Sequence, residues 1–282
     1  MFDFRNHQGV DTTRKFFEYG CRIDFNGPVG RSIELREGTP PQVEQRMMSS
    51  PGLSKGIDLS RADFPSEIPS GEMTTVITGN TIRNLVGASE DGIDVTYNAG
   101  SANTTIQGNV VANADVVNSF GDGIAVAINT TGSTSTIIGG NTIGQLNNGL
   151  FDDGIEVLVS QGIDHAVAVS NNLVGQLGGL FDDGIQLRLA GGAATFVAAT
   201  IQNNLLLAST GPGVGLNAIA LAPANLCADV TGNLTHTALT FTSGFGASID
   251  IVDLPTLSAN NFFATTLLFP LGTIQNAVSC PP

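Results

Sequence analysis

Four aspartates, each followed by Gly-Ile, recur along this sequence at nearly constant spacing. They are Asp91, Asp122, Asp153 and Asp183, at intervals of 31, 31 and 30 residues. Glu90 precedes the first, and the last two are doubled as Asp152-Asp153 and Asp182-Asp183. Carboxylates stacked at one repeat spacing repel one another unless a cation or water separates them. Oxygen ligands at this density suit Ca²⁺, which makes Asp152, Asp153, Asp182 and Asp183 the candidate metal set and Ca²⁺ the one candidate cofactor. The competing reading is structural. Asp-Gly is a common turn pair, and an Asp side chain can satisfy backbone N–H groups at a turn. One Asp per repeat is what a turn requires; the doubling is not.

Other residue types offer less. His7, His165 and His236 have no metal-ligand spacing and read as structural or surface residues. There is no nucleophilic Ser or Cys motif and no phosphate-binding glycine loop. Of the three cysteines, Cys227 and Cys280 are a candidate disulfide that would staple the C-terminal tail to the repeats in a secreted protein. The sequence alone does not establish their proximity.

The elements that position these residues follow from a second marker, a β-rich run closed by Gly-Asn or Asn-Asn. The last Asn of each falls at 80, 109, 141, 172, 204, 233 and 261. Gly and Asn tolerate positive φ and so permit a sharp bend between strands. A short apolar step follows each bend, as in Val110-Val111 and Leu173-Val174, then a loop, then Asp-Gly-Ile and an alternating strand. The segments 92–96, 123–128, 154–159 and 184–189 all keep period 2. Ile93, Val95, Ile124, Val126, Ile155, Val157, Ile185 and Leu187 are expected inside. Asp94, Ala125, Glu156 and Gln186 are expected in one outward column, and Thr96, Ala127, Leu158 and Arg188 in the next.

Three short strands per repeat of about 30 residues, with no helical pattern between them, predict an all-β parallel β-helix of about seven rungs. Phe120, Phe151 and Phe181 are expected to stack between rungs. The expected organisation is an irregular N-terminal segment, 1–72, as cap or linker, the β-helix over 73–261, and a C-terminal cap over 262–282. Within the first segment, 13–20 reads as a short helix, 31–36 as a strand and 37–51 as loop.

The internal aliphatic stacks and Asn turns over 73–261 resemble the right-handed parallel β-helix of the pectin-lyase-like superfamily. That resemblance implies right-handedness and a fold that hosts lyases, hydrolases, epimerases, tailspikes and adhesins. In its lyases and epimerases a Ca²⁺ or a basic residue neutralises a uronate carboxylate, and a Lys, Arg or Tyr moves the proton. Arg188 is the residue of that type on the array here, since no Lys follows Lys55. The hydrolase pattern of Asn-Thr-Asp, Asp-Asp and His-Gly is met only by the Asp-Asp pairs. The epimerase pattern of Tyr-Gly followed by Asp-Pro-His is absent.

Composition narrows the partners. The net charge is −14, of which residues 73–282 carry −12. An array of that sign repels nucleic acid. No apolar run reaches the length of a membrane span, and Met1-Phe2-Asp3-Phe4-Arg5 opens without a signal-peptide core. The leading expectation is a non-catalytic extracellular or surface scaffold, adhesin-like or polysaccharide-binding, with any leader outside this numbering; an intracellular location stays open. The alternatives are a polysaccharide lyase, epimerase or hydrolase using Asp94, Glu156, Asp153 and Arg188, and a self-assembling rod or spike.

Overall fold

The computed structural model describes residues 22–25, 31–36, 42–46, 57–58, 72–83, 91–98, 100–112, 121–144, 153–175, 183–190, 195–207, 214–235 and 237–281. These residues form an all-β solenoid of three parallel sheets. The long sheet contains Glu72–Thr78, Ser101–Gln107, Thr134–Gly139, Gly162–Ser170, Thr195–Gln202, Ala224–Thr231, Ser248–Val252 and Thr273–Ala277. The short sheet is made of the apolar steps, from Thr81–Arg83 to Leu234–Thr235. The third sheet holds the strands after Asp-Gly, among them Ile93–Tyr97, Ile124–Ile128, Ile155–Val159, Ile185–Leu189, Leu216–Ala220 and Ala238–Ser243.

The solenoid has about five turns, fewer than the seven Asn markers suggest. The rung opened by the last marker lacks a short-sheet strand. Between the long-sheet strand Ser248–Val252 and the marker Asn261 the chain makes a 3₁₀ turn at Leu254–Thr256 and one helical turn at Leu257–Asn260, and beyond the marker the short sheet continues only as a single bridge from Leu234 to Phe262. Pro255 accounts for the change, because its ring fixes φ and it has no N–H to offer a ladder.

The register is the one the alternation requires. Ile93, Ile124, Ile155, Ile185, Leu216 and Leu239 are consecutive partners and at most 1 % exposed. Beside them Val95, Val126, Val157, Leu187, Ala218 and Phe241 form a second inward stack, with the largest side chain following the smallest. Ile77, Ile106, Ile138, Val169, Ile201 and Val230 face them from the long sheet. In such stacks each side chain covers the one below, so burial repeats without any large core residue.

The bend into the short sheet divides its work between two residues. The first takes positive φ: Gly79, Gly108, Gly140, Asn171, Asn203 and Gly232 lie between 55° and 68°. The second is the marker Asn, buried and turned inward. In Asn109, Asn141, Asn172 and Asn204 the backbone N–H donates to the Oδ1 of the next marker Asn at 2.9–3.1 Å. The side-chain Nδ2 of each donates to that same Oδ1 and to a long-sheet carbonyl, such as that of Ile138 for Asn172. Only the first of the two positions needs left-handed freedom; the second needs an amide.

One expectation for the N-terminal flank changes. Gln42–Arg46, inside the stretch read as loop, is a strand pairing with Glu72–Thr78 and with Arg31–Arg36, itself paired to Arg22–Phe25. The C-terminal segment supplies Thr265–Pro270 to the third sheet and Thr273–Ala277 to the long sheet. Residues 13–20 and Phe120, Phe151 and Phe181 lie outside the described residues. Among the described residues no helix is long and apolar enough to cross a membrane.

Candidate functional site

The aspartate ladder stands at the entry to the third sheet, and its carboxylates serve the backbone. Asp91 Oδ1 accepts the Asp122 N–H at 2.7 Å, Asp122 Oδ1 accepts that of Asp153 at 2.9 Å, and Asp153 Oδ1 accepts that of Asp183 at 2.7 Å. Asp183 Oδ1 accepts the N–H of Val214 at 2.8 Å, which closes the series where the Asp stops recurring. Each carboxylate therefore caps the equivalent amide one rung on, not an amide of its own turn.

The glycine after each Asp is required by packing. None of Gly92, Gly123, Gly154, Gly184 and Gly215 has positive φ. A Cβ on Gly154 would lie 2.5 Å from the Gly184 carbonyl oxygen and against Val174 Cγ1. The short sheet and the glycine carbonyl of the next rung close in on this corner, and a hydrogen is all that fits.

The outward column begins one residue beyond this corner. Its partners in register are Asp94, Ala125, Glu156, Gln186, Asn217 and Thr240. Two members reach back to the ladder. Gln186 Nε2 donates to Asp153 Oδ2 at 2.6 Å and Asn217 Nδ2 to Asp183 Oδ2 at 2.7 Å. Both oxygens of Asp153 and of Asp183 thus accept hydrogen bonds, and both residues are buried, at 4 % and 2 % exposure. The described half of the candidate Ca²⁺ set is committed to the fold; Asp152 and Asp182 lie outside the described residues. Among the described residues no group of three or more His, Cys, Asp or Glu is arranged to hold a metal ion.

At the rung before Gln186 the same position is Glu156, which cannot donate when ionised. The Asp122 carboxyl stands where Asp153 and Asp183 stand one and two rungs on. Burial foremost, then the charges of Asp153, Glu156 and Asp91, push the Asp122 pKa up to about 9, against the lowering effect of the Asp153 N–H. Asp122 is therefore a neutral acid at pH 7, beside a second carboxyl group. This pairing escaped the sequence reading, which placed Asp122 among the turn residues. The signal was present in the succession of Glu156, Gln186 and Asn217 down one column, where a carboxylate stands in the position from which two amides reach the ladder.

The four residues singled out for catalysis do not converge. Asp94 and Glu156 share the column but are separated by Ala125. Arg188 is exposed in the adjacent column, in register with Leu158 and Ile219. Asp153 belongs to the ladder. Of the histidines, His165 is described, and it is buried at 2 % exposure where the pairing of Gly162–Ser170 with the next strand shifts register. Its Nε2 lies 2.7 Å from the Gln161 carbonyl oxygen and its Nδ1 2.8 Å from Thr134 Oγ1. A neutral ring that donates from Nε2 and accepts at Nδ1 satisfies both, and burial lowers its pKa accordingly.

Cys227 and Cys280 are joined by a disulfide with Cα atoms 5.4 Å apart. It ties the segment after the last strand back to the outer side of the long sheet. No family model, no curated protein and no solved structure matches this chain.

Proposed function

We propose that the chain is a non-catalytic β-solenoid scaffold of the pectin-lyase-like kind, acting outside the cell or at its surface and holding an extended polysaccharide along the flank of its third sheet. The observation that carries this reading is the commitment of the Asp153 and Asp183 carboxylates to rung-to-rung hydrogen bonds. A carboxylate fixed by two donors is a structural member and a poor proton shuttle. The same flank carries Asp94, Ala125, Glu156, Gln186 and Asn217 in register, each one rung of about 4.8 Å from the next. A repeating polar row suits a repeating polymer better than a compact small molecule. The disulfide supports an oxidising compartment.

One observation favours a second reading. Asp122, whose pKa burial raises to about 9, stands beside a second carboxyl group, Glu156, and two neighbouring carboxyl groups are what glycoside cleavage uses. A single experiment separates the two. The protein is incubated with a panel of acidic and neutral polysaccharides, with Ca²⁺ and with chelator. Binding is followed by affinity electrophoresis, and chemistry by new reducing ends and by absorbance of unsaturated products. The scaffold reading expects retardation by at least one polymer without turnover. Turnover that disappears in both Asp122→Asn and Glu156→Gln would replace it with the enzymatic one.

A further inference from the structure

The two last strands, Thr265–Pro270 and Thr273–Ala277, lie at the same end of the solenoid as the edge strands of two different sheets. Among the described residues no strand pairs with their outer edges. The apolar interior stays open there. Leu268 continues the inward stack beyond fully buried Phe241, yet is 41 % exposed. On the outward columns of the same rung Phe262, in register with Leu234, and Phe269, in register with Thr242, are 69 % and 50 % exposed, and Leu271 after them is 62 % exposed. Soluble β-proteins guard such edges with charge, bulges or a covering segment. This end has none of the first: residues 254–282 contain no Asp, Glu, Lys or Arg. The segment that follows the last strand is held away from it. Cys280 is bonded to Cys227, and Cys227 lies two strands in from the edge, in register with Asp250 and then Gln275.

We infer that this C-terminal end is a docking face for a second copy of the chain, joined end to end about a two-fold axis. The choice of a self-copy follows from charge. Residues 73–282 carry −12, so two copies repel when they approach side by side. Their neutral ends are where they meet without opposing charges, whereas a cationic partner would be drawn to the flanks. It also follows from the open edges, whose N–H and C=O groups are satisfied by another strand. A two-fold axis sets an edge strand antiparallel to its own copy and brings inward Leu268 against the other copy, with Phe262 and Phe269 at the rim of the joint. Pro270, lacking an N–H, ends the pairing on one side. The two edge strands span about 20 Å and about 16 Å at about 3.3 Å per residue. That is a small face beside the roughly 800 Å² per partner of a standard stable interface, so the association is weak and reversible. The inference stands independently of polysaccharide binding.

Sedimentation equilibrium from about 1 µM to about 500 µM covers the dissociation constant of an interface of this size. The expected result is a monomer–dimer equilibrium that tightens as salt is raised, because screening relieves the repulsion of the acidic bodies. The double variant Phe262→Glu/Phe269→Glu is expected to stay monomeric throughout with an unchanged circular dichroism spectrum. Should that variant fail to fold, hydrogen exchange on the unaltered protein decides. Amides of 265–277 must gain protection as concentration rises. A protein that is monomeric at the highest concentration, or a folded double variant that still dimerises, overturns the inference and leaves the end to a strand from another protein.

Discussion

Replacing Asn172 by alanine tests whether the asparagine ladder holds the rungs together. Asn172 is 1 % exposed, and its side chain takes part in four hydrogen bonds. Its Oδ1 accepts from the backbone N–H and the Nδ2 of Asn141, both at 3.0 Å. Its Nδ2 donates to the Ile138 carbonyl at 2.9 Å and to Asn204 Oδ1 at 3.0 Å. Truncation leaves the Asn141 N–H and the Ile138 carbonyl without these partners in a site closed to water. Each buried orphan costs about 1–3 kcal/mol, so the loss should reach about 2–6 kcal/mol. Urea denaturation measures it, and hydrogen exchange at Asn141 localises it. The Asn172→Asp variant sharpens the test. Its second oxygen replaces the amide nitrogen and faces two acceptors, so the variant folds best with that carboxyl protonated. Its folded pKa then lies above the unfolded value, its stability is greatest below about pH 3.9, and it is lost as pH rises. A cost for Asn172→Ala below about 1 kcal/mol, or an Asn172→Asp variant indifferent to pH, would refute a ladder that carries the turn.

Further predictions concern the other buried polar groups and the corner glycines. Asp122, with its pKa raised to about 9, stabilises the fold most at low pH and loses that contribution as pH rises from its unfolded value; Asp122→Asn keeps the acceptor for the Asp153 N–H. The variant should gain at least about 1 kcal/mol over the unaltered protein at pH 8, read as a Tm about 2–4 °C higher. His165 has the opposite sense, since its folded pKa is lowered. Its contribution is complete above the unfolded value of about 6.5 and is lost as pH falls; its ring protons in NMR should show no titration above that value. Gly154→Ala should cost at least about 3 kcal/mol, because its Cβ meets backbone as well as Val174. Gly108→Ala, where nothing lies within 4 Å but φ is +64°, should cost only about 1 kcal/mol; equal costs would show that packing does not set the corner.

What the sequence makes legible here, and what it hides, divides along one physical line. Repetition exposes anything that depends on the identity of a residue at a fixed step. Alternation in Ile155-Glu156-Val157-Leu158-Val159 fixes inside and outside, and the stacking of like on like fixes register, since a slip by one would bury Glu156. The roles hidden are those that depend on a neighbour one rung away, about 30 residues distant in sequence. The Asp-Gly pair reads locally as a turn, yet the Asp caps an amide of the next coil and the glycine yields to the close approach of the sheets. Asp122 looks like Asp153 until the partner column is aligned and Glu156 appears where an amide stands elsewhere. The same line accounts for the ends. A repeat pattern cannot announce the strand at Gln42–Arg46, which pairs with the first repeat without sharing its motif. Nor can it announce that the seventh Asn, Asn261, stands in a rung whose turn Pro255 has already altered. That last Asn nevertheless keeps its place, accepting the Asn233 N–H at 3.0 Å and donating to the Val230 carbonyl at 2.7 Å. The ladder therefore outlasts the short-sheet strands it accompanies, and at that corner it is the amide, more than the β-strand, that defines a rung of this solenoid.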